Sequence, residues 1–405
     1  MNHEQLKTRA VRAGKQAFGD DWQIDGWTIA PGRIELIGNH TDYNGGPVLA
    51  GAIDRVMVMA TGPIQESQAI GIAAADVKAK HAYCYPTELV DWRSSPKERG
   101  PIVYIKGVVA ALLARNIPVR SGVGLAISGD IPPGFGMSSS AALCLAGILA
   151  LTVDDIEPYE MVAIAREAEH RAGAMVGAMD QSASLAGGVI RFDGRDNTFE
   201  QIDPNLGNYV FAVAESGVKR SLRTSAYGTR VKEAAKAVAM INEAYGLNLP
   251  NLAALTPHWA DVQSSIARYL PDHLIARARH IVTETMRVDA AEEAVRNEDW
   301  IEFGNLMDAS GASSAGDYDI SHPIVEALVA HIRKQDGVIG ARMMGGGNGG
   351  PALVLLQQDS VDTVRESLND FYDKHPVKNR AQAFYTCSFG PGAHRESSQG
   401  EHHMS

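Results

Sequence analysis

The sequence predicts a mixed α/β protein with at least two domains. Segments rich in Ile, Val and Met alternate along the chain with amphipathic or Ala-rich segments of helical length. The 405 residues are enough for two or three domains with sizeable cores. After about residue 200 long helical segments dominate, so we expect one domain over 1–205 and a second over 206–394.

Hydrophobic periodicity and Gly/Pro punctuation give the individual elements. The predicted helices cover residues 2–18, 102–115, 139–150, 157–172, 226–245, 270–297, 299–312, 322–334 and 360–374. The predicted strands cover residues 27–37, 47–61, 122–129, 209–215, 338–344, 351–357 and 382–387. The polar tail from Arg395 to Ser405 is expected to be disordered.

Composition excludes several classes of function. A net charge of −11 argues against non-specific binding to nucleic acid or to an anionic membrane, but not against binding a nucleotide through backbone N–H groups and a metal. Cys84, Cys144 and Cys387 are widely spaced, which argues against a disulfide framework or a zinc site and favours a reducing cytosol. No apolar signal core or membrane-length apolar run is visible, so we expect a cytoplasmic protein.

A glycine- and serine-rich loop lies between a predicted strand and a predicted helix. Residues 129–142 read GDIPPGFGMSSSAA. Glycines let the backbone turn its N–H groups inward, the helix adds its positive end, and serine hydroxyls suit phosphate oxygens or magnesium. The loop is not a Walker P-loop, because GxxxxGK[ST] does not occur in the chain. An ordinary flexible loop with a serine N-cap is the alternative.

The order of residues in this loop closely resembles the ATP-binding motif PxxxGLGSSAA of the GHMP kinase superfamily, which includes galactokinase, homoserine kinase, mevalonate kinase and phosphomevalonate kinase. The resemblance implies that ATP phosphates lie against the loop and that Ser140 is the hydroxyl near Mg²⁺. The residues implied to line the phosphates are Gly134, Gly136, Ser138 and Ser139.

A second polar loop has the chemistry of a sugar site. Residues 31–46 read PGRIELIGNHTDYNGG, and such planar polar groups can form several hydrogen bonds at once with sugar hydroxyls. Taken alone, this segment could equally be a surface turn. It resembles the galactokinase signature GRVNLIGEHTDYNGG, which implies that Arg33 lies beside the reacting groups and that His40 and Asp42 contact the sugar.

Two of this chain's departures from that signature change the chemistry of the loop. Glu35 stands where the family has Asn, and Asn39 stands where the family has a Glu expected to contact the C6 hydroxyl. Asn39 can still bond that hydroxyl, and it would also tolerate a C6 carboxylate. Galactose is therefore the first expectation for the substrate, and galacturonate or a pentose such as L-arabinose is the alternative.

An acidic segment supplies candidate catalytic groups. Residues 167–181 read EAEHRAGAMVGAMDQ, with Glu169 on a helix and Asp180 after a glycine-punctuated turn. The resemblance to AExxxxGxxxGxMDQ implies that Asp180 is the catalytic carboxylate and Glu169 a Mg²⁺ ligand. The spacing is one residue shorter than in galactokinases, so a change of register could bring Glu167 or His170 into that position instead. Whether Asp180 accepts the proton early or mainly orients the hydroxyl stays open.

The second half contains two further resemblances. The run around Tyr227 resembles a galactokinase pattern, VxxSLxxSxY, which implies contact of Tyr227 with the sugar ring. Residues 340–350, GARMMGGGNGG, resemble the third superfamily motif, which implies a backbone approach of Gly346 and Gly347 to the ligand. Between two strands, the same glycines could form a plain hairpin turn.

Together these resemblances span residues 25–390 and imply a two-domain GHMP kinase fold of mixed sheets and helices with its active site in the interdomain cleft. The implied activity is transfer of the ATP γ-phosphoryl group to the anomeric hydroxyl of galactose, with ATP and Mg²⁺ as cofactors. We expect a monomer or weak homo-oligomer. A non-catalytic sugar and ATP sensor is disfavoured because Arg33, Asp180 and the serine run are intact, and the HTDYNGG run disfavours another branch of the superfamily.

Overall fold

The computed structural model describes residues 2–76, 81–95, 98, 100–132, 135–218 and 227–396. Its helices are α1 (His3–Phe18), α2 (Pro101–Leu113), α3 (Ser139–Leu151), α4 (Pro158–Arg171), α5 (Met179–Ala186), α6 (Tyr227–Tyr245), α7 (Trp259–Val262), α8 (Asp272–Arg296), α9 (Trp300–Gly316), α10 (Pro323–Ile332) and α11 (Val361–Lys374). Its strands are β1 (Gly26–Ile37), β2 (Pro47–Pro63), β3 (Ile70–Ala74), β4 (Ala82–Cys84), β5 (Val123–Gly129), β6 (Val189–Asp193), β7 (Thr198–Ile202), β8 (Tyr209–Glu215), β9 (Val338–Met343), β10 (Pro351–Gln357), β11 (Phe384–Cys387) and β12 (His394–Glu396).

The larger sheet is built around the long strand β2. The order is β12-β1-β2-β5-β3-β4, and β2 also pairs with β6, which pairs with β7. The pairing of β1 with β2 is irregular between Pro31 and Arg33 and again between Glu35 and Ile37. Such bulges change the direction of nearby side chains, and they enclose the part of β1 that carries Arg33 and Glu35.

Helix α3 anchors the loop that precedes it. The helix is apolar on all sides and every residue from Ala141 to Leu151 is buried, as expected for a helix at the centre of a core. It packs against β1, β2, α2 and α4. The N-terminus of α3 is therefore held firmly at one end of the core.

The smaller sheet has the order β11-β8-β10-β9 and is antiparallel. Alternate residues of β8 point to opposite faces. Phe211 and Val213 join the core that contains α3, whereas Ala212 and Ala214 join a second core with α6, α8, α10 and α11. The smaller sheet is thus covered on both faces and lies against the larger one through a shared core.

Most predicted elements are present within a few residues of their expected ends. The elements not predicted from the sequence are β3, β4, β6, β7, β12, α5 and α7. The expected tail starts too early, because Arg395 and Glu396 pair with Thr28 and Trp27 of β1; residues 397–405 lie outside the described residues. The predicted boundary at 205/206 falls between β7 and β8, and the division into domains there stays a prediction.

Within the described residues, no helix combines the length and the apolar character needed to cross a membrane.

Candidate active site

A cavity of about 300 Å³ lies where β1 and its following loop meet the loop before α3, the start of α5 and the loop after β9. These segments are far apart in the sequence. Most of the predicted site residues line the cavity: Arg33, His40, Asp42, Gly136, Ser138, Ser139, Ser140, Asp180, Tyr227 and Gly346.

Arg33 and Asp180 form the central ion pair of the cavity. Arg33 is 5% exposed, and its Nε and Nη2 donate to Oδ1 of Asp180 at 2.9 and 2.5 Å. Its Nη1 donates to the carbonyl of Gly136, which joins the pair to the glycine- and serine-rich loop before α3, called the phosphate loop below. The hydroxyl of Ser138 donates to the other carboxylate oxygen of Asp180. The carboxylate is therefore held in one orientation through both of its oxygens.

Asp180 lies in the first turn of α5, a short helix that was not predicted from the sequence. A helix N-terminus favours a negative charge. Gln181, the next residue of α5, is fully buried and donates to Glu169, so the start of the helix is fixed on both sides of the catalytic candidate. The helix was missed because it is only eight residues long and follows two glycines, Gly173 and Gly177, closely spaced in sequence.

The loop before α3 combines left-handed backbone with an uncapped helix end. Gly136 has φ 68° and Ser138 has φ 54°. Ser138 occupies the N-cap position but makes no side-chain capping bond, because its hydroxyl contacts Asp180. The first backbone N–H groups of α3 thus keep their capacity for an anion, and the side chains of Ser139 and Ser140 line the same cavity. The predicted phosphate contact at Gly134 lies outside the described residues.

Glu169 lies beneath this loop and is 1% exposed. Burial raises the pKa of Glu169 to about 7, although hydrogen bonds from Ser140 and Gln181 oppose that rise. The two alternatives are engaged elsewhere: Glu167 pairs with Arg115, just after α2, and with Arg171 on α4. The imidazole of His170 bonds the carbonyl of Val176. Among the three candidates, Glu169 is therefore the one beside the phosphate loop.

Asp42 and Tyr227 form another part of the cavity wall. Burial raises the pKa of Asp42 to about 7, and the nearby carboxylates of Asp180 and Glu35 add to the rise. A Cβ placed on Gly177 would lie 2.1 Å from Oδ2 of Asp42, so only glycine leaves room for this carboxylate.

A cluster of aromatic rings supports this wall. The ring of Tyr227 lies 5.4 Å from that of His40 and 5.0 Å from that of Tyr43. The hydroxyl of Tyr43 bonds both His40 Nδ1 and the hydroxyl of Tyr318 at 2.9 Å. Burial raises the pKa of Tyr227 and the pKa of Tyr43 well above the ordinary tyrosine value, so both hydroxyls stay neutral donors at neutral pH.

Asn39 does not line the cavity, contrary to its expected contact with the sugar. Its side chain is fully buried, and Nδ2 donates to Oε1 of Glu35 at 2.8 Å and to the carbonyl of Gly345 at 3.0 Å. Its Oδ1 accepts from Ser314 at 3.1 Å. Glu35, which the sequence analysis noted only as a departure from the signature, lines the cavity instead.

The third glycine motif is only partly at the cavity. Gly345 and Gly346 line it, whereas Gly347 packs against Ile320, where a Cβ would lie 2.3 Å from the backbone oxygen. Gly347 therefore serves the packing of the loop rather than the predicted approach to a ligand.

Two buried charged residues that were not predicted as site residues lie behind the polar segment 31–46, called the sugar loop below. Glu284 on α8 is fully buried and accepts from the backbone N–H groups of Gly38 and Asn39, each at 3.0 Å. Arg342 on β9 is fully buried and donates to the carbonyls of Leu36 and Glu35. Only the GARM run containing Arg342 offered a signal, since nothing in the sequence near Glu284 distinguishes it from a surface acid.

Three family models match the chain: the galactokinase galactose-binding signature at residues 15–63, the N-terminal domain of GHMP kinases at 103–188 and the GHMP kinase C-terminal region at 291–374. The galactokinase of Roseiflexus sp. (strain RS-1) is 34% identical over 373 residues, which cover 90% of this chain and 92% of the relative. The chain belongs to the galactokinase family. The galactokinase of Chloroflexus aurantiacus is 35% identical over 354 residues, 85% of this chain and 87% of the relative.

The crystal structure of Lactococcus lactis galactokinase complexed with galactose superposes with a TM-score of 0.84 at 27% identity, covering 96% of this chain and 99% of that one. The two-domain GHMP kinase fold expected from the sequence is thereby confirmed, and the predicted family is confirmed as well.

Proposed function

We propose that this galactokinase-family protein transfers the γ-phosphoryl group of ATP to the C1 hydroxyl of galactose, giving galactose 1-phosphate and ADP. The observation that carries the proposal is the Arg33–Asp180 pair, which joins the sugar loop to the phosphate loop at one cavity. The relatives named galactokinase and the Lactococcus lactis structure with galactose support the choice of sugar.

In the proposed reaction, the C1 oxygen attacks the γ-phosphorus while the bond from that phosphorus to the bridging oxygen of ADP breaks. Asp180 orients the C1 hydroxyl and accepts its proton as the new P–O bond forms. Arg33 fixes Asp180 and offers positive charge to the transferring group. Ser138 holds the second oxygen of Asp180, so the carboxylate needs no reorientation during transfer.

Mg²⁺ is the second cofactor we propose. Within the described residues no cluster of three or more His, Cys, Asp or Glu side chains could hold a metal. Magnesium commonly binds through one or two carboxylates together with substrate phosphates. Ser140 and Glu169 would hold the ion, since Glu169 is a buried carboxyl beside the phosphate loop. Bound there, the ion would neutralise charge on the phosphates.

The charges of the cavity support a neutral sugar over a uronate. Glu35, Asp42 and Asp180 all line the cavity, and Arg33 is already paired with Asp180. A C6 carboxylate would therefore meet a predominantly acidic wall, whereas sugar hydroxyls would find acceptors. The galacturonate alternative is disfavoured on this ground, and L-arabinose would lose whatever contact C6 makes.

The proposal also covers the oligomeric state, the location in the cell and the partners of the protein. We propose a monomer or weak homo-oligomer as the working state. The buried thiols Cys84, Cys144 and Cys387 are unpaired, which supports action in the reducing cytoplasm. A formal charge of −11 gives no support to partners such as nucleic acid or anionic membranes.

The test is ADP formation with Mg²⁺ and ATP across galactose, galacturonate, L-arabinose, glucose and a blank without sugar. We expect galactose to give the highest kcat/KM, with galactose 1-phosphate as the product. Asp180→Asn should lower kcat by at least about 100-fold, with ATP binding retained, because the proton acceptor is lost while the shape is kept. Turnover of Asp180→Asn near the wild-type rate, or no sugar-dependent ADP formation by the wild type, would contradict the proposal.

A further inference from the structure

Two neighbouring polar side chains behind the sugar loop differ in where they point. Asn39 and Glu35 are four residues apart and are joined by the bond from Asn39 Nδ2 to Glu35 Oε1, so their tips meet at one place. Only Glu35 of the two lines the cavity. The amide of Asn39 thus lies behind the cavity wall, and the carboxylate of Glu35 forms part of that wall.

Asn39 is fully buried and has no donor left for a ligand. Both hydrogens of Nδ2 are used, by Glu35 and by the carbonyl of Gly345, and Oδ1 accepts from Ser314. This pattern also fixes the orientation of the amide, since its donors face two acceptors and its acceptor faces a hydroxyl. A carboxylate at position 39 would face the carboxylate of Glu35 and the carbonyl of Gly345.

Glu35 is held rigidly but keeps one oxygen for a ligand. Arg342, fully buried on β9, donates to Oε1 and to the backbone carbonyl of Glu35, each at 2.9 Å. Oε1 thus accepts from both Asn39 and Arg342, whereas Oε2 accepts no hydrogen bond from the residues that the structure describes. A carboxylate fixed through one oxygen presents the other to the cavity as a directed acceptor.

We propose that Glu35 supplies the acidic sugar contact of this enzyme, with Asn39 and Arg342 as its positioning residues. The family signature has these two residue types in the opposite order, Asn at the place of 35 and Glu at the place of 39. Because the two tips touch, exchanging the residues keeps one carboxylate and one amide at the same spot. Because Glu35 takes the place of the glutamate that the signature implies at C6, the hydroxyl it would accept from is the one on C6. This inference rests on the proposed galactose kinase function.

The test compares Glu35→Gln with the wild type on galactose and on 6-deoxygalactose. A hydrogen bond from a sugar hydroxyl to a charged acceptor predicts a loss of about 10- to 100-fold in kcat/KM with galactose. With 6-deoxygalactose, which lacks the donor, the loss should be less than about threefold. The ratio of kcat/KM for galacturonate to that for galactose should rise, because a negative charge facing C6 is removed.

Glu284→Gln is the matched control, since Glu284 is a buried glutamate that supports the same loop without lining the cavity. Its loss should be the same for both sugars. Equal losses with both sugars in Glu35→Gln would overturn the inference. Failure of the wild type to phosphorylate galactose would instead overturn the proposed function.

A second variant covers the case in which Glu35→Gln does not fold because Arg342 loses its buried partner. The double variant Glu35→Asn/Asn39→Glu restores the family order and keeps one carboxylate in the pair. Of the single variants, Glu35→Asn leaves no carboxylate in the pair and Asn39→Glu leaves two. We expect the double variant to have a kcat/KM for galactose at least about tenfold higher than either single variant. Activity no better than that of the single variants would contradict the exchange.

Discussion

The carboxylate of Glu284 is expected to contribute strongly to stability, and Glu284→Gln tests this. It reaches from α8 to the sugar loop and accepts from two backbone N–H groups, from Ser310 at 2.5 Å and from Arg287 at 2.7 Å. Burial alone would raise the pKa of Glu284, but the charges of Arg287, His280 and Arg342 and the hydrogen bond from Ser310 lower it from 4.5 to about 2. Glutamine keeps the shape but turns an NH₂ group toward donors and removes the charge.

The size of the effect follows from proton linkage. At about 1.4 kcal/mol per pKa unit, the difference between 4.5 and about 2 corresponds to about 3 kcal/mol at neutral pH. Because the folded pKa is depressed, this stabilisation is fully present above pH 4.5 and is lost as the pH falls through about 2. The difference between wild type and variant should be constant from pH 8 to about 5 and about 1 kcal/mol smaller at pH 3.5.

Urea unfolding followed by tryptophan fluorescence measures this difference at each pH. Glu293→Gln is the matched control, because Glu293 is exposed on the same helix; its effect should stay within about 0.5 kcal/mol. A difference below about 1 kcal/mol for Glu284→Gln at pH 7.5 would refute the reasoning. A difference that does not change with pH would assign the effect to packing rather than to charge.

Two further predictions concern Asp42 and the part of the cavity wall that it forms. Gly177→Ala should raise the KM for galactose about tenfold and leave the KM for ATP unchanged, because its Cβ would lie 2.1 Å from Oδ2 of Asp42; Gly316→Ala, where a Cβ meets nothing within 4 Å, is the control. Since burial raises the pKa of Asp42 to about 7, kcat/KM for galactose should rise between pH 6 and 8 as the carboxylate ionises. The raised pKa of Asp42 also makes stability depend on pH: its contribution is fully present below pH 3.8 and is lost as the pH rises through about 7. Asp42→Asn should therefore have a higher Tm than the wild type at pH 8 but not at pH 3.5. The same difference in Tm at both pH values would contradict this prediction.

The sequence predicted the main elements and much of the cavity lining because both depend on local pattern. Apolar periodicity identified α3 and β2, and the resemblance of short motifs brought Arg33, Ser138 and Asp180 to one site. The strands that were missed are five residues or shorter. Such short strands owe their stability to pairing with distant partners, which a local pattern does not record.

The exchange of Glu35 and Asn39 shows what motif comparison alone leaves out. Position by position, Asn39 replaces a glutamate, which suggested a lost charge and an altered sugar. In three dimensions the charge is conserved, because the glutamate at 35 meets the amide at 39. Detecting this required the bond between the two side chains and the position of Arg342, which comes from a strand more than 300 residues later.

The three acids of the cavity differ in how their charge is balanced. Asp180 pairs with Arg33, and Glu35 pairs with Arg342. Asp42 has no ion pair within the described part of the chain, and burial next to the other two raises its pKa to about 7. A neutral sugar can supply through its hydroxyls the stabilisation that arginines supply to the other two acids. Asp42 is therefore the acid whose ionisation should couple most directly to sugar binding.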